Sequence, residues 1–207
     1  MKALLVFVAI LAILAFFLGG AYFGRRNQMA IKKEAVNAAW AQVDVVLQRR
    51  ADLIPNLVET VKGFAQQEQT VFGEIAAARS ALLGSKTPSD KIAANGQLDS
   101  ALVKVLAIAE RYPELKSNEN FMRLQDELAG TENRIAVERR RYNETVQDYN
   151  TYISLFPNSV IAGIAGFTRN DAYFKTDEGA RQAPKVNFDF NKPTAPAPVE
   201  TPAPAHP

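Results

Sequence analysis

The amino-acid sequence predicts an all-α protein in which an N-terminal transmembrane helix is followed by a long antiparallel four-helix bundle. Three observations support this fold class. An uncharged apolar run fills Ala3 to Phe23, and residues 27–157 repeat apolar side chains at helical spacing. No segment alternates apolar and polar residues for long enough to form a sheet.

Composition divides the chain into four parts. We expect a membrane anchor with its flanks at 1–26, a helical bundle at 27–157, and an apolar, irregular extension of that domain at 158–190. The proline- and alanine-rich residues 191–207 are expected to form a disordered tail that acts as a spacer. The parts between anchor and tail are long enough to bury a single core.

The apolar run has the length of a membrane span. From Ala3 to Phe23 a helix rises about 31 Å, against about 30 Å for a hydrocarbon core. A cleaved signal peptide is the alternative interpretation, but Lys2 alone would form its charged region and no clear cleavage site follows. The sequence therefore favours an uncleaved anchor that contacts the lipid bilayer through this run.

Positive charge next to the span predicts its orientation. Lys2 and the α-amino group precede it, whereas four basic residues follow it: Arg25, Arg26, Lys32 and Lys33. The larger positive charge is normally retained on the cytoplasmic side. We therefore expect the N-terminus outside and the bundle in the cytoplasm.

The first bundle helix is expected to continue from the span as one rod. Residues from Asn27 to Arg50 contain no glycine or proline, and their apolar residues step by four, three and four. That stripe is Val36, Trp40, Val43 and Leu47. Asp52 and Pro55 then suggest a new or kinked helix that starts near Leu53 and ends at Gly84.

Two further helices have clear starts. Thr87 as cap and Pro88 in the first turn open a helix that stops at Pro113. Ser117 or Asn118 opens the longest helix, which runs to about Ser154 with heptad-like apolar positions and a partly polar seam. Short connections between four helices predict antiparallel packing.

The residue inventory is poor in catalytic groups. There is no cysteine, the only histidine is His206 in the tail, and no Glu-x-x-His pair is available for a di-iron site. Glu68 and Glu138 fall on apolar stripes and are the candidates for acid–base chemistry. A structural ion pair, with Arg134 or Arg139 as partner, is the favoured alternative. We assign no catalytic, cofactor or metal residue.

Charge gives no reason to expect nucleic-acid binding. Lysine and arginine number 24 and acidic residues 22, for a net charge of +2. The run Arg139-Arg140-Arg141 spreads around a helix rather than sharing one face, so it is expected to form salt bridges at the surface.

The segment Val160 to Phe167 is small and apolar. It could lie against a membrane or a partner, or it could fold back over one end of the bundle. The second interpretation is favoured because exposed apolar patches are uncommon.

Two long stretches resemble the LemA family of bacterial membrane-anchored proteins. The first is Arg49 to Ala65 with Glu68, and the second runs from Tyr112 to Pro157. Residues of the second stretch that carry the likeness include Glu132, Asn133, Arg134, Ile135, Arg139, Arg141, Tyr142, Asn143, Tyr149 and Asn150. The resemblance covers about residues 1–190 and leaves the tail outside the family pattern.

The resemblance implies an N-terminal membrane helix in the bacterial inner membrane, a short N-terminus outside and a long antiparallel bundle. It implies no catalytic residues. By analogy with a relative that helps to build magnetosome membranes, it makes a membrane-organising role plausible.

The sequence thus favours a non-enzymatic scaffold or adaptor that binds membrane or cytoplasmic proteins, with a possible homo-oligomer. Membrane remodelling or envelope maintenance is the alternative, and a carboxylate-dependent enzyme ranks last.

Overall fold

A computed structural model describes residues 1–175, and the tail at 191–207 lies outside them. Its helices are α1 (Lys2–Lys62), α2 (Gln69–Gly84), α3 (Pro88–Arg111), α4 (Pro113–Lys116), α5 (Glu119–Ser154) and α6 (Asn158–Ala165). No strand occurs in this described part of the chain. The all-α prediction is confirmed.

Helix α1 is one continuous rod of 61 residues, about 90 Å long. It contains both the apolar run and the first bundle helix, as the run without glycine or proline predicted. The prediction of a new helix near Leu53 is wrong, because Pro55 lies inside α1. Proline has no N–H to donate to the carbonyl four residues earlier, which belongs to Ala51. Arg79 of α2 donates its Nε–H to that carbonyl at 2.8 Å, so a tertiary contact satisfies it.

The break between α1 and α2 comes later than the sequence suggested. Residues 63–68 form a turn, and α2 folds back along α1. The reversal buries Val61, Ala65 and Phe72 in the same core. The apolar stripe for which the sequence predicts a single helix is therefore shared between two antiparallel helices.

The predicted starts of the other helices are confirmed. The Thr87 hydroxyl accepts from the Asp90 N–H at 3.1 Å, and the Asn118 side chain accepts from the Phe121 N–H at 3.1 Å. Helix α5 ends at Ser154, as expected. The short helix α4 was not predicted.

Pairs of charged side chains show how the helices run. Helices α1 and α5 are antiparallel, because Lys32 pairs with Asp148 at 2.5 Å while Arg50, further along α1, pairs with the earlier Glu132 of α5 at 2.8 Å. Helices α2 and α3 are also antiparallel, because Glu74 pairs with Lys104 at 2.6 Å while Glu68, just before α2, pairs with the later Arg111 of α3. Helix α3 runs parallel to α1, because Lys91 pairs with Asp44 and, further along both helices, Asp99 pairs with Arg50. This is the up-down-up-down order of an antiparallel four-helix bundle.

The core runs along the seam between these helices. Its largest fully buried side chains are Tyr142, Phe121, Met29, Leu47, Ile54, Leu57, Ile75, Leu82, Leu98, Ile108, Leu115 and Ile135. Helix α3 is long and apolar enough to be a second candidate span. Its apolar side chains Leu98, Val105 and Ile108 are, however, buried in this core.

Within residues 1–175, the end of the bundle nearest the apolar run is formed by α1, α5 and α6. The α2–α3 connection stops short of that end, since Ser89 lines a surface cavity with Lys33 and Asn37. Helix α6 packs on α1 and α5 and buries Ala162, which agrees with the expected fold-back. Val160 and Ile164 on α6 remain exposed.

Candidate functional site

Four charged side chains from three helices meet in the middle of the bundle, and we call them the ion cluster: Arg50 of α1, Asp99 of α3, and Glu132 and Arg139 of α5. Arg50 Nη1 lies 2.5 Å from Asp99 Oδ1 and 2.8 Å from Glu132 Oε2. Arg139 approaches the other oxygens of the same carboxylates at 3.6 and 3.9 Å. Two cations and two anions leave the cluster neutral.

Arg50 is the buried member of the ion cluster. Its side chain is 8% exposed, whereas those of Asp99 and Glu132 are 37% and 45% exposed. Asn95, one turn before Asp99 on α3, donates to the Asp99 carboxylate at 2.9 Å and holds it towards the arginine. Removing the partners of a buried charge leaves that charge unpaired at a high cost, so the buried Arg50 depends on its two carboxylates.

A cavity of about 490 Å³ opens beside the ion cluster. Arg50, Asp99 and Glu132 form its charged wall. The remaining wall comes from α3 and α5 and is mostly apolar: Leu102, Val103, Leu106, Gln125, Leu128 and Ala129. An apolar surface next to a few fixed polar groups is the usual form of a binding site.

The chain after α6 crosses back over α5, and we call residues 168–174 the strap. Asn150 donates to the Asn170 carbonyl at 2.7 Å and accepts from the Asn170 N–H at 2.9 Å. Asn143 makes the same pair of bonds with Phe174, at 2.8 and 3.0 Å. The two asparagines are seven residues apart, so they lie on one face of α5. Each side-chain amide pairs with both the N–H and the carbonyl of one strap residue, as the backbone of a neighbouring β-strand would.

Aromatic side chains connect the strap with the ion cluster. Trp40, Tyr142 and Phe174 pack together with ring centroids 5.3 to 6.1 Å apart. The Arg139 guanidinium lies 5.0 Å from the centre of the Phe174 ring, a cation–π contact. Burial raises the pKa of Tyr142 and of Tyr149, because a buried phenolate would lose its hydration.

The two carboxylates singled out in the sequence lie apart from this site. Glu68 directly precedes α2 without making a side-chain capping hydrogen bond, and it pairs with Arg111 at 3.0 Å. Glu138 pairs with Arg141 at 3.2 Å, so the expected partners Arg134 and Arg139 are wrong for it. The structural ion pair is therefore what the structure shows for both carboxylates. Among residues 1–175 no group of three or more acidic or histidine side chains is placed to hold a metal.

The arginine run behaves as the helical geometry predicted. Arg139 faces the ion cluster, Arg140 lies 3.9 Å from Glu144, and Arg141 pairs with Glu138. The three side chains do not share a face.

Sequence reasoning named some residues of this site but not their contacts. Arg50, Glu132 and Arg139 lie in the two stretches that resemble the LemA family, yet nothing in the sequence showed that they meet. Asp99 and Asn95 lie outside both stretches and were missed. The repeated Tyr-Asn dipeptide, at 142–143 and 149–150, was a signal that two turns of α5 present the same pair of side chains.

These features define a class: a helical bundle with a central ion cluster, whose first helix continues into an apolar segment long enough to span a membrane. The chain belongs to the LemA family, whose sequence profile matches residues 39–188. It is a membrane-associated protein of that family.

Two groups of relatives are similar along most of this chain. Magnetosome protein MamQ 2 of Paramagnetospirillum magneticum is 26% identical over 197 residues, covering 83% of this chain and 71% of that protein. Magnetosome protein MamQ of Magnetospirillum gryphiswaldense is 25% identical, covering 85% and 74%. Protein LemA of Metamycoplasma hominis is 24% identical over 144 residues, covering 68% and 65%.

Proposed function

We propose that this protein is a non-enzymatic scaffold or adaptor, anchored once in the bacterial inner membrane, with its N-terminus outside and its bundle in the cytoplasm. The observation that carries the proposal is the continuity of α1 from the apolar run to Lys62. A partner bound to the bundle would be held at a set height above the bilayer, at raised effective concentration.

The candidate partner surface is the cavity beside the ion cluster. Its apolar wall includes Val103, a residue that is 66% exposed. The neutral ion cluster would supply both donors and acceptors to a partner, and its rigid helices would present them without reorganisation. We propose that a protein segment binds there.

Site-specific photo-crosslinking in cells tests the scaffold proposal. A photoreactive amino acid at Val103 should give a discrete, reproducible adduct. The same group at Val45, which is 65% exposed on α1, is the matched control. No adduct at Val103, or the same set of adducts at both positions, would contradict the proposal.

Membrane topology has a direct test because the chain contains no cysteine. A single cysteine at Val103 should react with a membrane-impermeant maleimide only after the cells are lysed. Labelling in intact cells would place the bundle outside and overturn the proposed orientation.

A role in membrane remodelling or envelope maintenance is the second candidate. The exposed apolar residues at the end of the bundle nearest α1's apolar run favour it, as does the likeness to magnetosome proteins. Vesicles reconstituted with the full chain should then change shape with protein density. An enzyme that depends on Glu68 or Glu138 is tested by Glu68→Gln and Glu138→Gln, and full cellular function of both variants would eliminate it.

A further inference from the structure

Exposed apolar side chains cluster where α5 turns into α6, and we call them the end patch: Leu155, Phe156, Val160 and Ile164. Phe156 is 84% exposed and Ile164 is 71% exposed. Val160 and Ile164 are one turn apart on α6, on the side opposite the buried Ala162. A soluble surface rarely groups large apolar residues in this way, so the patch requires a partner.

The register of α5 against α1 places the end patch close to the membrane. Lys32 pairs with Asp148, and the two helices are antiparallel. Six residues further along α5, Ser154 is therefore level with about residue 26 of α1. The apolar run ends at Phe23, so α5 stops about 5 Å beyond the end of the span.

The strap confirms that α6 is the turning point at this end. Tyr149 donates its hydroxyl to the Thr168 carbonyl at 2.9 Å, and Asn143 binds Phe174. The strap thus runs back along α5, away from the span. Helix α6 lies between the last turn of α5 and the start of the strap, so it covers the membrane-facing end of the bundle.

Basic side chains lie at the same level as the end patch. Arg25 and Arg26 follow the span, and Arg169 donates to the Ser154 hydroxyl at 3.1 Å. The headgroup layer is about 5 to 7 Å thick on each side of the hydrocarbon core. Apolar side chains flanked by arginines at that depth match the pattern of interfacial membrane helices.

The geometry points to a second membrane contact: α6 inserts the end patch into the headgroup layer of the bilayer that α1 spans. The occupant of the patch is a lipid surface containing anionic headgroups. This inference deepens the proposed function, since it rests on the anchor. It adds a second contact that restricts tilting of the bundle relative to the bilayer. The partner surface at Val103 would then face a constant direction relative to the bilayer.

Depth-dependent fluorescence on the full chain tests this contact. Single-cysteine variants Ile164→Cys and Val103→Cys carry an environment-sensitive dye, and each protein is reconstituted at one copy per nanodisc that contains phosphatidylglycerol. The positions are matched in exposure, at 71% and 66%. The Ile164 label should show blue-shifted emission and several-fold stronger quenching by lipids spin-labelled near the headgroup. Equal quenching at the two positions would overturn the inference.

A second set of variants tests whether the apolar side chains make the contact. A dye at Ser159→Cys should lose its blue shift when Phe156, Val160 and Ile164 are all changed to serine. The fold should persist, because all three are exposed, and circular dichroism checks this. An unchanged blue shift in the folded triple variant would refute a role for the patch.

Other outcomes separate this inference from the proposals around it. A blue shift at Ile164 that appears only in discs holding two copies, without lipid quenching, would mean that a second copy covers the patch and would overturn lipid contact. Lipid quenching at Ile164 without any adduct at Val103 would leave the membrane contact standing while the scaffold proposal fails.

Discussion

The Arg79 side chain is expected to replace the backbone hydrogen bond that Pro55 removes from α1. Its Nε lies 2.8 Å from the carbonyl of Ala51, a residue with no exposed surface. A hydrogen bond from a charged donor contributes about 1.5 to 3 kcal/mol, and its loss leaves a buried carbonyl unpaired. We expect Arg79→Met to lower the free energy of unfolding by about 2 kcal/mol.

A double-mutant cycle identifies the cause. In a Pro55→Ala background, the new N–H of residue 55 can donate to the same carbonyl, so Arg79→Met should cost less than about 1 kcal/mol. Pro55 is exposed, so its replacement leaves the core packing intact. The assay is guanidinium unfolding in detergent, followed by far-ultraviolet circular dichroism.

Two results would refute this reasoning. The first is an equal cost of Arg79→Met in both backgrounds, which would mean that the contact does not substitute for the missing N–H. The second is a large cost for the control variant Lys104→Met. This variant breaks an exposed ion pair with Glu74, so it should change the free energy of unfolding by less than about 0.5 kcal/mol. A cost equal to that of Arg79→Met would show that any helix-to-helix contact matters as much.

Three further predictions concern the site. Arg50→Met should lower the free energy of unfolding by about 2 kcal/mol in the same assay. This is less than the roughly 3 to 5 kcal/mol expected for a fully buried pair, because its carboxylate partners are partly exposed. Adding Glu132→Gln should restore part of the lost stability. Asn150→Ala removes three hydrogen bonds to the strap, so amide exchange at residues 170–174 should quicken by about tenfold or more while exchange in α5 stays constant. Because the pKa of Tyr142 is raised in the folded protein, the unfolded chain loses the phenol proton at a lower pH, and stability should fall as the pH rises above about 10. The unfolding midpoint, measured between about pH 9.5 and 11.5, should fall less in the Tyr142→Phe variant.

The sequence by itself determined the apolar run, the helical content and most helix ends. These features depend on residues close together in the chain. Thr87 and Asn118 cap helices through side chains that reach three residues ahead, and the absence of glycine and proline from residues 27–50 favours a continuous helix there. The expected division at 158–190 and the disordered tail stay predictions, since residues 176–207 lie outside the described part of the chain.

Only the tertiary structure decided how α1 passes Pro55 and where it ends. Proline normally interrupts a helix, and the local pattern had no means of showing that Arg79, 24 residues later, satisfies the freed carbonyl. The same limit applies to the ion cluster, where Arg50 meets Asp99 and Glu132 from two other helices. Contacts between distant segments depend on helix register and packing, which the hydrophobic period of each helix does not specify. For that reason the sequence predicted an anchored bundle, while the structure alone showed that α6 lies at the end of the bundle nearest the apolar run and that a mostly apolar cavity opens beside the ion cluster.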